Sequence, residues 1–378
     1  MIRVLNIISD TNIGGAGRVL LNYLRCADRE RFETAVALPK GSLLLPELQA
    51  LGARTHEVDG MADRSYHRDD VRALEALIRD ENPDIVHTHG ALSGRIAGRR
   101  CGRVVIYTRH SAFPVPARLR YPPGRWVNKY FNEHYADHII AVSPAAAENL
   151  TDAGISPRYI TTILNGVAPV ERLDAAALAP QRAAWGLEPD DFVLGILARL
   201  EPYKGHMDVL DAVRALADQG RRCRLLIAGT GPAEAALRRR TAELGLEDEV
   251  VFTGFLREVA PFLSLLDVQL NASYGTEATS LSLLEGFSMG VPAIVSDYGG
   301  NPCLVTDGDN GLLFPTRDAA ALAGCIGRLM DEPETRAQMS RRAEAAYHKR
   351  FTAERFARKI ESVYCQTLKG AEHGTKKR

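Results

Sequence analysis

The chain has 378 residues, 46% hydrophobic and 25% charged, with 47 Lys and Arg balanced by 47 Asp and Glu. This is the composition of a globular protein of two or three domains, and it excludes collagen-like, disordered and disulfide-scaffold chains. Zero net charge also excludes a bulk polyanion such as nucleic acid as a partner.

The chain opens with an apolar run too short for a signal peptide, and Val4–Ser9 reads as a first strand. Further strands are predicted at Thr34–Leu38, Asp84–His87, Val104–Thr108 and Asp137–Val142, with helices at Gly17–Cys26 and Asp69–Arg79 between them. After a break, strands resume at Phe192–Ala198, Arg224–Ala228, Val250–Thr253, Val268–Asn271 and Pro292–Ser296. Helices Met207–Gln219, Ala233–Leu244 and Ser282–Met289 fall among them. Such alternation implies parallel sheets covered by helices on both faces, and two doubly wound α/β domains rather than one very wide sheet. The boundary lies between Asn165 and Asp191, around Gly166, Pro169, Pro180 and Pro189. From Asp318 onward only helices are predicted, ending in a polar, frayed tail at Gly370–Arg378. The expected divisions are 1–170, 171–350 and a closing segment 351–378. No apolar run reaches 18 residues, so no membrane span is expected and the location is read as cytoplasmic. The six cysteines form no C-x-x-C pair and read as small buried hydrophobes in a reducing compartment.

In open parallel sheets ligands bind beyond the carboxyl ends of the strands, so the residues just after each strand carry the functional reading. Gly14-Gly15-Ala16-Gly17 follows the first strand; glycines there let backbone N–H groups approach an anion, though the spacing is not the dinucleotide fingerprint. His87 and His89 share one strand face, and His110 ends the next strand, where it could bond a hydroxyl or phosphate. Half a metal site is one reading of the first pair; a satisfied histidine pair near the cleft is the other, and no further ligand lies at a supporting spacing. Arg199 and Lys204 lie in Arg199-Leu200-Glu201-Pro202-Tyr203-Lys204-Gly205, before a helix, and two cations there suit a diphosphate. Gly229 lies in a further strand-to-helix turn. Glu277 and Glu285 flank Thr279, Ser280 and Leu281; the two hydroxyls can cap a helix that carries Glu285. Gly290-Val291-Pro292 and Gly299-Gly300 follow.

Taken together, in this order, these motifs resemble the retaining glycosyltransferases of family 4, over nearly the whole chain. The resemblance implies the GT-B fold, two Rossmann-like domains facing a central cleft, with the first binding the acceptor and the second the nucleotide sugar. It implies transfer of a hexosyl unit from UDP- or GDP-hexose to an acceptor hydroxyl, in glycan, polysaccharide or glycolipid synthesis. Arg199 and Lys204 would hold the diphosphate, Glu285 the ribose, and Glu277 would sit beside the donor sugar. The amides of Thr279, Ser280 and Leu281 would contact sugar or phosphate, Gly14 and Gly15 would close on the donor from the other domain, and His110 would touch the sugar. No metal or other cofactor is expected, and departure and attack would share one face without a covalent intermediate. The acceptor stays open between a glycan and a lipid-linked species. An epimerase or hydrolase of the same fold, or a non-catalytic two-domain sugar-binding protein, are the alternatives. Ala278 stands where glycine is usual, Cys303 where a glutamate is usual, and no acid follows Gly14-Gly15. In this fold the last helix, Ala353–Thr367, crosses back to the first domain; packing on its own domain is the other reading.

The zero charge is a sum of unlike parts: residues 1–170 carry 21 basic and 18 acidic side chains, residues 171–378 carry 26 and 29. From Ile85 to Asn132 there are nine Lys or Arg and no acid. Arg118, Arg120, Arg125 and Lys129 there interleave with Tyr121, Trp126, Tyr130 and Phe131. An anionic membrane surface, met peripherally, or a phosphorylated acceptor would account for them, as would a positively lined cleft wall that helps hold the donor together with ordinary core aromatics.

Overall fold

The structure, a computed structural model, describes residues 1–375. It divides into two compact units, Met1–Val167 joined by the residues from Ala353 on, and Ala168–Thr352.

The first unit is built on β1 (Ile2–Ile8), β2 (Phe32–Pro39), β3 (Arg54–Val58), β4 (Ile85–His89), β5 (Val104–Arg109), β6 (His138–Ala141) and β7 (Ile160–Thr162). Their order across the sheet is β3-β2-β1-β4-β5-β6-β7, with every pairing parallel. The second unit uses β8 (Val193–Leu197), β9 (Arg224–Ala228), β10 (Val250–Gly254), β11 (Val268–Asn271), β12 (Ala293–Ser296) and β13 (Gly311–Phe314). They are ordered β10-β9-β8-β11-β12-β13, again all parallel. Each unit is therefore a doubly wound, Rossmann-like α/β layer structure. Its topology reverses at one place, between β1 and β4 in the first and between β8 and β11 in the second.

Central strands are apolar on both faces because helices cover both. Val4, Leu5, Ile7 and Ile8 of β1 and Val193, Leu194 and Ile196 of β8 are all buried. The edge strands β3 and β7 lack that signal, whereas β10, also at an edge, carries it. The strands without a counterpart in the sequence reading are β3, β7 and β13, and all three lie at sheet edges. β3 reads Arg-Thr-His-Glu-Val, β7 has three residues, and β13 opens on Gly311.

The C-terminal helix belongs to the first unit. It spans Ala353–Thr375, packs against the helix Gly15–Cys26, and buries Phe356, Ile360, Val363 and Tyr364. The amide of Asp28 donates to Glu361 Oε1 at 2.8 Å, and the Tyr364 ring meets Tyr23 edge-on at 6.0 Å. The amide of Ala353 donates to the Val167 carbonyl at 3.0 Å, which ties together the two points where the chain leaves and re-enters this unit. The expected frayed tail from Gly370 is corrected as far as Thr375, because the helix runs on through it; Lys376–Arg378 lie outside the described residues. No described helix is long and apolar enough to cross a membrane.

Candidate active site

In the second unit, the segments after β8 and β11 meet because those strands are neighbours at the point of reversal. The turn Pro202–Lys204 closes on Gly205, whose φ of 73° is left-handed. A Cβ there would lie 2.0 Å from the Ala272 carbonyl oxygen, so only glycine lets the two segments touch. This contact carries Lys204 Nζ to within 2.9 Å of Glu277 Oε2, across 73 positions of sequence.

Glu277 is 7% exposed, and its Oε2 also accepts from Asn271 Nδ2 at 3.0 Å and Ser273 Oγ at 2.9 Å. Burial pushes this carboxyl up. The charge of Lys204 and the donors from Lys204, Asn271 and Ser273 outweigh it, so the carboxyl lies below its ordinary range. Glu277 is therefore an ionised, acceptor-only group, poorly suited to giving up a proton. His206, the next residue after Gly205, is buried and held neutral, its pKa lowered to about 4 by burial and by the Lys204 charge.

Behind Glu277 the double glycine forms a clamp. The amide of Gly300 donates to the Glu277 carbonyl at 3.0 Å. A Cβ on Gly299 (φ 60°) would lie 2.4 Å from that carbonyl oxygen, and one on Gly300 would lie 1.4 Å from the Ala278 carbonyl oxygen. Tyr298 and Ser296 brace the same loop, their hydroxyls donating to the carbonyls of Gly275 at 2.9 Å and Ser273 at 2.6 Å. We expect Gly300→Ala to cost about 2–3 kcal/mol, since backbone must move to admit the methyl group. A melting temperature within 1–2 °C of the parent, roughly the scatter of such a measurement, would contradict the clamp.

Ser280 caps the helix Leu281–Ser288, its Oγ accepting from the Leu283 amide at 3.4 Å. Glu277 thus lies in the loop before the helix and Glu285 one turn inside it, half-buried. Thr279 is buried and Leu281 half-buried at this N-terminus. Gly229 (φ 137°) passes so close to the turn after β8 that a Cβ would lie 2.0 Å from the Ala198 carbonyl oxygen. Arg199 is not drawn into the cluster: its side chain is 70% exposed, donating to Tyr203 Oη at 3.0 Å, with Glu201 3.6 Å away.

In the first unit, Gly14 and Gly15 open the helix after β1. Gly14 is its N-cap with no side chain to satisfy the first amides, and a Cβ on Gly15 would meet nothing within 4 Å. Packing thus gives no reason for glycine at 15. His110 lies at the end of β5. Its Nε2 is 2.9 Å from His89 Nδ1, and His89 Nε2 is 3.2 Å from Asn6 Oδ1. His87 Nδ1 lies 2.7 Å from Tyr364 Oη and its Nε2 2.7 Å from Thr108 Oγ1. His87 and His89 are therefore each satisfied by other side chains, their rings 4.5 Å apart. Among the described residues no group of three or more His, Cys, Asp or Glu could hold a metal ion.

Asn271, Ser273, Tyr298, Asn6 and Tyr364 were absent from the sequence reading of the site. Asn6 carried a signal, as a lone amide in an apolar strand. Tyr364 carried none, since its contact with His87 spans 277 positions.

Two Rossmann-like units, the second with a cation–carboxylate pair where its sheet reverses, are the two-domain layout of the GT-B fold. Solved structures agree on the fold. A glycosyltransferase from Rickettsia africae superposes with a TM-score of 0.85 at 18% identity, covering 97% of this chain and 99% of that one. The Anabaena protein HepE in complex with UDP-glucose gives 0.83 at 21%, covering 97% and 100%. The family model described as Glycosyltransferase Family 4 matches residues 13–171, and that for Glycosyl transferases group 1 matches residues 179–346. A D-inositol 3-phosphate glycosyltransferase of Acidothermus cellulolyticus is 32% identical over 311 residues, 75% of this chain and 67% of that one. The N-acetyl-alpha-D-glucosaminyl L-malate synthase of Bacillus anthracis is 27% identical over 307 residues, 80% and 79%. The chain belongs to glycosyltransferase family 4.

Proposed function

We propose that the protein transfers a hexosyl unit from a nucleoside diphosphate hexose, UDP- or GDP-linked, to an acceptor hydroxyl, with retention at the anomeric carbon and without a divalent metal. The observation that carries this reading is Lys204 locked onto an ionised, buried Glu277 at the reversal point of the second sheet. In this assignment Lys204 and Arg199 hold the diphosphate and offset the negative charge that grows on the leaving group, the electrostatic work a metal does elsewhere. The exposed Arg199 is free to swing onto a phosphate at little cost, because its contact with Glu201 is a solvent-screened one. Glu285 takes the ribose diol, Gly229 allows close backbone approach, and the amides of Thr279, Ser280 and Leu281 face sugar or phosphate. Glu277 accepts from donor-sugar hydroxyls and holds Lys204 in place. The sugar leaves and is attacked on one face through an oxocarbenium-like state, with no covalent glycosyl-enzyme. Gly14, Gly15 and His110 serve the sugar end of the donor, and the first unit supplies the acceptor site, a glycan or a lipid-linked species.

A thermal-shift panel of nucleotide sugars tests the donor class, because a ligand that binds only the folded state raises its melting temperature. UDP-glucose is the first to try, since the fold relative HepE binds it. With donor and acceptor fixed, we expect activity to persist in excess EDTA and the product's anomeric proton coupling to match that of the donor. Activity that disappears on chelation and returns only with a divalent ion refutes the metal-free assignment, and an inverted product refutes retention.

A further inference from the structure

Three polar side chains join across neighbouring strands at the carboxyl end of the first sheet. Asn6 of β1 is in register with His87 of β4, so Asn6 and His89 lie on one face, and His110 meets them from just past β5. They form a chain of hydrogen bonds. Asn6 Oδ1 lies 3.2 Å from His89 Nε2, and His89 Nδ1 lies 2.9 Å from His110 Nε2. Asn6 and His89 are buried, whereas His110 is half-buried. The remaining nitrogen of His110, Nδ1, has no hydrogen-bond partner among the described residues and is not enclosed. It is the open end of the chain.

The chain fixes where each hydrogen sits. A carboxamide oxygen accepts and cannot donate, so His89 must carry its hydrogen on Nε2. Burial keeps His89 neutral, with one ring hydrogen, and its Nδ1 is therefore a bare lone pair. His110 Nε2 must then supply the hydrogen between the two rings. His110 is neutral as well, its pKa lowered to about 4 by burial and by the Arg109 charge, so its Nδ1 is left as a lone pair. A lone pair can meet an O–H group but not a phosphate oxygen, which is itself an acceptor. A neutral histidine alone can hold its hydrogen on either nitrogen, and here Asn6 makes the choice. It does so although its own Nδ2 is left buried without a partner, a cost that packing does not explain.

We propose that Asn6 and His89 are positioning residues that set His110 as a hydrogen-bond acceptor, so that its Nδ1 takes a hydroxyl of the transferred sugar and turns away phosphate oxygens. Of the two partners open to a histidine at this strand end, hydroxyl or phosphate, the chain selects the hydroxyl. A sugar that cannot donate at that position leaves the lone pair without a partner and is discriminated against. The sugar contact rests on the donor role proposed for the protein; the proton arrangement stands without it.

NMR of the full chain, isotope-labelled at its histidine nitrogens and free of ligand, reads the tautomers at neutral pH, with the His110 signals identified as those missing from His110→Ala. We expect His110 to carry its hydrogen on Nε2 in the parent. In Asn6→Leu, which keeps the bulk and removes the acceptor, the hydrogen should move toward Nδ1, and in His89→Ala it should divide between the two nitrogens. Melting temperatures show which variants fold, and either one suffices. The sugar contact is read with analogues of the nucleotide sugar that supports transfer, UDP-glucose first, in which fluorine replaces one hydroxyl at a time. Fluorine accepts but cannot donate, so one position should lower kcat/KM at least about tenfold more in the parent than in Asn6→Leu or His110→Ala. Comparing parent with variant cancels fluorine's own effect on the reacting carbon. A hydrogen on His110 Nδ1 in the parent, or an unchanged tautomer in both Asn6→Leu and His89→Ala, would overturn the arrangement. Equal fluorine losses in parent and variants would overturn the hydroxyl contact. The NMR result needs no donor, so a failure of the donor role is seen separately, as the absence of transfer from every nucleotide sugar.

Discussion

Lys204→Ala is expected to lower transfer at least about 100-fold, the usual consequence of losing a charged group that stabilises a transition state. It will also destabilise the second unit by about 3–5 kcal/mol, because Glu277 keeps its burial and loses the charge that offset it. The two losses are separable. In Lys204→Ala/Glu277→Gln the buried carboxylate is neutral, and Asn271 and Ser273 can still bond the amide, so most of the stability should return while activity does not. Thermal melts and initial rates on the two variants and the parent decide the matter. A double variant that recovers both would reduce the pair to a structural device and remove Lys204 from the donor site.

The second large effect is a loss of stability in mild acid, centred on the first unit. Burial holds His87 at a pKa of about 3 and, with the neighbouring Arg109 charge, His110 at about 4; burial puts His89 well below its ordinary value. In the unfolded chain all three return to about 6.5. The folded state thus refuses protons that the unfolded state takes up. Above about pH 6.5 neither state is protonated and stability is flat; below it, stability falls until the folded pKa values are reached. Each histidine contributes a slope approaching about 1.4 kcal/mol per pH unit, so even two of them make pH 4.5 severe for a domain whose total stability is typically about 5–15 kcal/mol. Glu277, depressed, and His206, at about 4, act in the same direction in the second unit, Glu277 in a lower window. Urea unfolding measured at half-unit steps from pH 7.5 to 4.5 reads this slope directly. A flat profile between 6.5 and 5 would mean that the histidines are solvated, not buried.

The pattern of hydrophobic runs carried the two-domain α/β architecture, because central parallel strands are buried on both faces and so read as continuous apolar segments. The edge strands Arg54–Val58 and Ile160–Thr162, one polar and the other three residues long, contain no such segment. Motif residues were equally visible singly: Lys204, Glu277 and the Gly299-Gly300 pair stand in the segments after strands, and Glu285 in the helix that one of them leads into. Their partnerships were not. The sequence reading joined Lys204 with Arg199 as twin cations, whereas folding joins Lys204 with Glu277 and leaves Arg199 in solvent. Which strands are neighbours decides that, and strand order is a long-range property no local spacing encodes. The basic–aromatic segment shows the same limit. Its composition was plain, but Trp126 and Tyr130 face solvent because the helix Gly124–His134 is held by Asn128 to the Ala153 carbonyl, by Asn132 to Arg95 and by Glu133 to the Ser156 amide.

The first unit is made from the two ends of the chain, and this sets an order of assembly during synthesis. Residues 1–167 leave the ribosome first, yet Tyr364 and Glu361, which bond His87 and the Asp28 amide, are made almost two hundred residues later. The intervening unit is contiguous and has everything it needs once Thr352 has emerged. The half that is translated first is thus the last to be completed, and until then the apolar side of the Gly15–Cys26 helix stays uncovered, a surface on which nascent chains aggregate unless they are shielded.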